Sequence, residues 1–244
     1  MQKESIRLEG LVLRSLDKEK TRDFYQALLQ TDFKLEQHDG GDQHYSARDS
    51  QRLLFEVYPC KRAVTPPSPD LTFRVLRKSI IQERMLDYIE EMKQTGEKLW
   101  EFQDPNERKI TLFQDDDADD YITLHSIGLH CYSLNSKRDF YQTLLNIKAK
   151  EKKDNEGKVY YNFPLPNATL ELHQSLHTVL PAPPTLLLKT SNFNYFTQRM
   201  RGRIKEIKQL PHTREAVLHP YPEGEKIRVY ESIPEPSWWQ KLSQ

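Results

Sequence analysis

The chain has 244 residues, in which 36 Lys and Arg balance 36 Asp and Glu, with two cysteines. Zero net charge excludes a global field that would draw it to nucleic acid or an anionic membrane, and no apolar run approaches the roughly 18 residues of a membrane span. Cys60 and Cys131 stand alone, with no partner at redox or metal-ligand spacing, and the opening residues lack the apolar core of a secretory signal, so a cytoplasmic location is expected.

In chain order, residues 6–16 alternate as a strand does, and Asp17 then caps a helix over about 17–30 that carries Phe24 and Leu28 on one stripe. Short strands are expected around 44–47 and 52–58, before the proline-rich stretch 64–70, which reads as a linker. A second unit begins with the strand at Leu71. Ser79, with Gln82 three residues on, predicts a capping-box start to a helix carrying Ile81, Met85, Ile89 and Met92 and ending at Gly96. Strands near 98–103, 108–114 and 120–125 follow. A third unit starts at Ile127, with a helix capped by Asn135 and strands near 158–163 and 168–173. After a second proline cluster at 180–185, a fourth unit has a strand at 186–190, a helix from Asn192 to about Lys205, and strands near 214–219 and 226–231. The tail carries Trp238-Trp239, expected to pack on a domain surface.

The first and third units are copies. Arg22-Asp23-Phe24-Tyr25-Gln26 recurs as Arg138-Asp139-Phe140-Tyr141-Gln142, each after a Gly-led strand and before paired leucines. An internal repeat fixes architecture before any other reading. Phe24, Tyr25, Phe140 and Tyr141 are therefore the expected core anchors, and Cys131 falls on the helix-facing side of its strand as a structural thiol.

The Gly-strand, Asp, FYxxxLL opening, its repetition, and the close HPYPEGEKIRVYES resemble the vicinal oxygen chelate superfamily of glyoxalase I, bleomycin-resistance proteins and extradiol dioxygenases. The resemblance implies an α+β fold of four βαβββ modules making two eight-stranded cups. The expected domains are 1–126 (modules 6–60 and 70–126) and 127–244 (modules 127–178 and 185–232, then the tail). It also implies a metal held in each cup by four side chains from the first and last strands of the paired modules. Carried over, those positions fall on Gly10, Glu56, Asp70 and Thr123 in one half, and on Gly128, Glu171, about Thr185 and Arg228 in the other. Only the two glutamates match, and one carboxylate does not hold a transition metal, so no cofactor is expected. Gln30 and Asn146 also replace the glycine that ends the FY helix in the resemblance.

Period-two alternation names what else should face each cup. In the first half these are Arg14, Glu56, Tyr58, Thr72, Arg74, Tyr121 and His125, with Asp70 nearby. Arg14 and Arg74 would clamp Glu56 or an anionic ligand, or the set would close as an internal salt-bridge network. In the second half the set is His130, Tyr132, Thr169, Glu171, His173, Lys189, Arg228 and Tyr230. Two imidazoles and a carboxylate there form a displaced metal-site candidate, His130, Glu171 and His173, with a divalent metal as the alternative cofactor. Without metal, Glu171 would be a general base, Tyr132 and Tyr230 would orient a substrate, and Lys189 or Arg228 would stabilise a developing oxyanion.

Three functions follow. The first is a degenerate family member binding a small, anionic molecule in a cup. The second is a lyase, isomerase or dioxygenase using the displaced or metal-free site. The third is an interaction role like that of the CppA-like complement-degrading proteins, which share the architecture. A tightly filled cup supports neither of the first two; an open polar cup favours chemistry.

Overall fold

The computed structural model describes residues 4–37, 40–61, 69–118, 122–154, 156–175, 184–210, 213–218 and 226–232. The first module is β1 (Ile6–Ser15), α1 (Lys18–Leu29), β2 (Lys34–Glu36), β3 (His44–Arg48) and β4 (Leu54–Pro59). The second is β5 (Asp70–Val75), α2 (Lys78–Met85), β6 (Lys93–Gly96), β7 (Leu99–Gln103) and β8 (Lys109–Gln114). The third is β9 (Thr123–Cys131), α3 (Leu134–Leu145), β10 (Lys150–Lys153), β11 (Val159–Pro164) and β12 (Thr169–Gln174). The fourth is β13 (Thr185–Thr190), α4 (Phe193–Arg199), β14 (Ile204–Leu210), β15 (Thr213–Leu218) and β16 (Lys226–Ser232). No helix among the described residues is long and apolar enough to cross a membrane.

Two eight-stranded sheets result, in the orders β14-β15-β16-β13-β1-β4-β3-β2 and β10-β11-β12-β9-β5-β8-β7-β6. The α+β cup architecture is therefore as expected, but the partners are exchanged. Module one shares its sheet with module four through antiparallel β1 and β13, and module two shares with module three through antiparallel β5 and β9. The expected pairing of one with two and three with four is corrected: β1 stands between β13 and β4, and β5 between β9 and β8. Residues 64–68 and 180–183 of the two proline-rich stretches, with Tyr121, His38, His177, His212, His219, Trp238 and Trp239, lie outside the described residues.

Other boundaries move for local reasons. Thr123 opens β9 and does not end module two. Asp17 does cap α1, accepting from Lys20 N at 2.9 Å. Asn135 lies inside α3, where its Oδ1 accepts from Tyr161 OH at 3.1 Å and from Arg138 Nη1 at 3.2 Å, and Ser133 stands at the cap position. α2 stops at Met85, starts after Arg77 and leaves Ser79 inside it, while Ile89 and Met92 pack against the core from outside the helix. α4 ends at Arg199 because β14 must begin at Ile204 to edge the sheet. Gln30 and Asn146 adopt the left-handed conformation of the missing glycines, at φ 53° and 55°.

Alternation divides each strand. Leu11, Leu13, Phe55, Val57, Leu186 and Leu188 of one sheet, and Leu71, Phe73, Ile127, Leu129, Leu170 and Leu172 of the other, are buried on the helix side. They belong to one continuous apolar cluster with Phe24, Tyr25, Phe140 and Tyr141. The sheets are joined there: Phe24 meets Phe102 at 6.1 Å and Phe55 meets Phe73 at 6.4 Å.

One turn recurs in three modules. Asp49, Asp104 and Asp154 each accept backbone N–H groups two and four residues on: Gln51 and Leu53, Asn106 and Arg108, Glu156 and Lys158. Arg52, Glu107 and Gly157 take φ of 65°, 62° and 79° in the matching place. Asp104 has a buried arginine partner; among the described residues Asp49, with Leu53 at the corresponding position, has none, and its Oδ2 is buried with no hydrogen-bond partner there. Burial pushes the Asp49 carboxyl up, against the two backbone donors. A raised folded pKa means stability falls as pH rises from the unfolded value of about 3.9 through the folded one. Asp49→Asn should therefore add about 1 kcal/mol at neutral pH, with the gain vanishing below the unfolded pKa; denaturation at pH 3.5 and pH 7.5 (roughly bracketing that range) checks it.

Candidate functional site

In the sheet of modules one and four, β1 sets Gly10 beside Leu54 of β4 and Leu187 of β13, and Leu187 beside Arg228 of β16. A Cβ on Gly10 would lie 2.9 Å from the Leu54 carbonyl and 3.0 Å from Leu187 Cδ1. The first- and last-strand positions are thus a glycine, two leucines and an arginine, and the leucines close over the glycine. Glu56 and Thr185 sit one pleat away, both beside Val12.

This cup carries a polar network of its own, buried at His44 and Glu56 and exposed at Arg228. His44 is fully buried, stacks on Tyr58 at 4.1 Å and 7°, and brings Nε2 to 3.8 Å from Glu56 Oε1. The Arg14 guanidinium lies over the Tyr58 ring at 5.1 Å. Arg228 forms an ion pair with buried Glu215, which raises the Arg228 pKa. Burial, then Glu56, raises the Tyr58 phenol, and burial with Glu9 raises that of Tyr230 further. Lys189 stands beside Arg7 and Tyr230 in register. Arg14, Glu56, Lys189, Arg228 and Tyr230 therefore meet in one cup, although the sequence reading divided them between two.

Arg74 does not join them. It lies on β5 in the other sheet with Nε on Asp115 Oδ2 at 2.7 Å, so the expected Arg14–Arg74 clamp does not exist. Lys189, Arg228 and Tyr230 are likewise separated from His130. These corrections follow from the exchanged pairing of modules.

The sheet of modules two and three is different. Gly128 on β9 lies opposite Asp70 of β5 and Glu171 of β12, with Lys109 of β8 one strand beyond Asp70. One pleat further, His130 and His173 are in register. A Cβ on Gly128 would be 3.1 Å from Asp70 Cβ and 3.4 Å from His173 Cδ2. The missing side chain is what lets an imidazole and a carboxylate lean over that position.

The result is two carboxylate–imidazole pairs: His130 Nε2 is 3.0 Å from Asp70 Oδ2, and His173 Nε2 is 3.3 Å from Glu171 Oε2. The imidazole rings are 5.8 Å apart. An ionised carboxylate only accepts, so each pairing places the proton on Nε2 and leaves Nδ1 as the basic nitrogen. Tyr160 stacks on His173 at 5.0 Å, and burial followed by Glu171 raises its phenol. All four paired side chains keep 18–29% of their surface exposed, so this cup is open. Asp70, expected at an implied metal position of the other half, stands here instead. Tyr132 lies past the end of β9 and is 54% exposed, with its carbonyl accepting from Gln174 Nε2, which does not suit the expected substrate-orienting role.

A metal does not fit the implied positions in either cup. In one cup the implied Glu56 and Thr185 stand one pleat from Gly10, whose own register holds Leu54, Leu187 and Arg228. The other offers two carboxylates, a glycine and Lys109, whose ammonium is 3.6 Å from Asp70 and already supplies a cation. His130, Glu171 and His173 approach as two separate pairs, and among the described residues no group of three or more His, Cys, Asp or Glu is arranged to hold a metal ion.

No protein-family model and no curated protein matches the sequence. Solved structures do. Glyoxalase I of Zea mays superposes with a TM-score of 0.72 at 15% identity, covering 93% of each chain. A provisionally assigned dioxygenase of Bacillus subtilis superposes at 0.64 and 10% identity, over 94% of this chain and 86% of that one. The fold is the vicinal oxygen chelate fold. The match spans both cups. The CppA protein of Streptococcus pneumoniae reaches only 0.47 at 10% identity, too little to bear on function. In one cup here leucines close over Gly10 beside an Arg228–Glu215 ion pair, and in the other two carboxylate–imidazole pairs stand on the floor.

Proposed function

We propose that the chain binds a small polar molecule in the open cup of β5, β8, β9 and β12, without the metal that the resemblance implies. The observation that carries this is the facing pair of imidazoles, each held by its own carboxylate and each still reachable from solvent. Two such pairs, with Lys109 against Asp70, present donors and acceptors at fixed positions, as a small-molecule site requires. At the other end of the cup the Arg74 guanidinium favours a ligand carrying an anionic group.

A mixed panel of small acids, amines and sugars, added to the ¹⁵N/¹³C-labelled full chain, should shift the His130 and His173 imidazole resonances, and Asp70→Asn with Glu171→Gln should weaken that binding about tenfold or more. If no compound moves either imidazole, the cup is structural.

Acid–base chemistry on the bound molecule is a second reading, favoured by the fixed tautomers. A carboxylate that holds Nε2–H leaves Nδ1 to take a proton, and the facing imidazole can return one. Exchange of ligand protons with heavy water that disappears in His130→Gln is the expected sign.

A further inference from the structure

Resting on that reading, the geometry points to a ligand class for the open cup: a small polyhydroxylated acid, such as a sugar acid or sugar phosphate. The central strands place matching residues in rungs across the cup floor. Thr111 of β8, Thr72 of β5, Ser126 of β9 and Thr169 of β12 lie in register on four adjacent strands. Paired residues of neighbouring strands share a face, and this is the face opposite buried Ile110, Leu71, Ile127 and Leu170. Thr111 and Ser126 are buried, and Thr72 and Thr169 are half-buried. Among the described residues none of the four hydroxyls makes a hydrogen bond, although each can donate one and accept two.

The rungs on either side differ in character. Two residues along the strands, roughly 7 Å away, lie Lys109, Asp70, Gly128 and Glu171, with the imidazoles beyond. On the opposite side a cavity of about 390 Å³ is lined by Arg74, Thr123, His125 and Thr169. Arg74 uses Nε for Asp115, and among the described residues its two Nη groups are not engaged. Asp115 offsets part of that charge and leaves the forked donors for a second anion. Arg74 and Asp70 are four residues apart on β5, roughly 13–14 Å along the strand; the long Arg74 side chain and the His173 ring, which leans over Gly128, shorten that span to one that a hexose acid lying on the hydroxyl rung can bridge.

An apolar acid of the same length fits less well. It would strip water from four hydroxyls and return no hydrogen bond, leaving each of them unsatisfied. A polyol without charge would leave the Arg74 end unused. The row is what separates this cup from its partner, where the strands carry Val12, Glu56 and Thr185 side by side.

The test is calorimetric titration of the full chain with D-gluconate, D-glucose 6-phosphate, sorbitol and hexanoate, with the His125, His130 and His173 imidazole resonances reporting the place of binding. Gluconate or glucose 6-phosphate should bind about tenfold or more tighter than sorbitol and hexanoate, and whichever is tighter distinguishes carboxylate from phosphate. Thr111→Val and Thr169→Val, close to isosteric, should each weaken it about fivefold with an unchanged melting temperature, and Arg74→Gln should bring gluconate down to sorbitol. Hexanoate binding as tightly as gluconate, or valine variants with full affinity, would overturn the polyol class yet leave a small-molecule site in the cup. Silence of all three imidazoles to these four compounds would also overturn the class, and the broader panel then decides whether the cup binds anything.

Discussion

Arg108→Met should cost about 3–5 kcal/mol of folding stability, more than any surface charge in the molecule. Arg108 and Asp104 are both almost completely buried, and Nη1 meets Oδ2 at 2.8 Å. Tyr25 OH donates to the same carboxylate at 3.0 Å, and Arg108 Nη2 reaches back to the Arg14 carbonyl. Tyr25 and Arg14 belong to module one and the ion pair to module two, so this network ties one sheet to the other. Burial and Asp104 together hold the Tyr25 phenol well above its usual range. Removing the arginine leaves a buried carboxylate with two backbone donors and one phenol, and no countercharge. Replacing both charges should be far milder, so the double variant Asp104→Leu/Arg108→Met should recover part of the loss in urea denaturation, although the turn still loses its two N–H acceptors. A single-variant cost below about 1 kcal/mol, the level of an exposed pair, would mean that the network does not hold the sheets together.

Phe24→Ala should cost about 3–5 kcal/mol. Phe24 is fully buried, meets Tyr25 edge-on at 5.1 Å, and crosses to Phe102 of the other sheet at 6.1 Å. The cavity opened by its loss is walled by two sheets and a helix, which cannot collapse together without breaking the lock at Arg108. Phe140, its copy in the repeat, is 6% exposed and meets Tyr141 at 5.3 Å. Phe140→Ala should therefore cost less, toward 3 kcal/mol. Thermal and chemical denaturation of the two variants side by side reads the difference. Equal losses would mean that the Phe102 contact adds nothing.

The repeat, read without any structure, was enough for the α+β class and four strand–helix–strand modules, because FY helices and Gly-led strands are amphipathic patterns visible within a dozen or so residues. The same local logic located the buried anchors and the Asp17 cap. It failed on the four edge strands β2, β6, β10 and β14, whose sequences KLE, KQTG, KEKK and IKEIKQL carry no alternation that would mark a half-buried strand. The inward-facing residues were mostly legible too, since alternation along a strand is a local property. Which of them meet was not. The choice of partner for β1 and β5 is made by long-range pairing, and it moved Arg74 and Asp70 into the cup of His130 while taking Lys189, Arg228 and Tyr230 out of it. The hydroxyl row arises the same way, since Thr72, Thr111, Ser126 and Thr169 are scattered through the chain and become one surface only when four strands fall into register. Side-chain types and their faces are set by the sequence along a single strand; the company they keep is set by the register between strands, which only the tertiary structure decides.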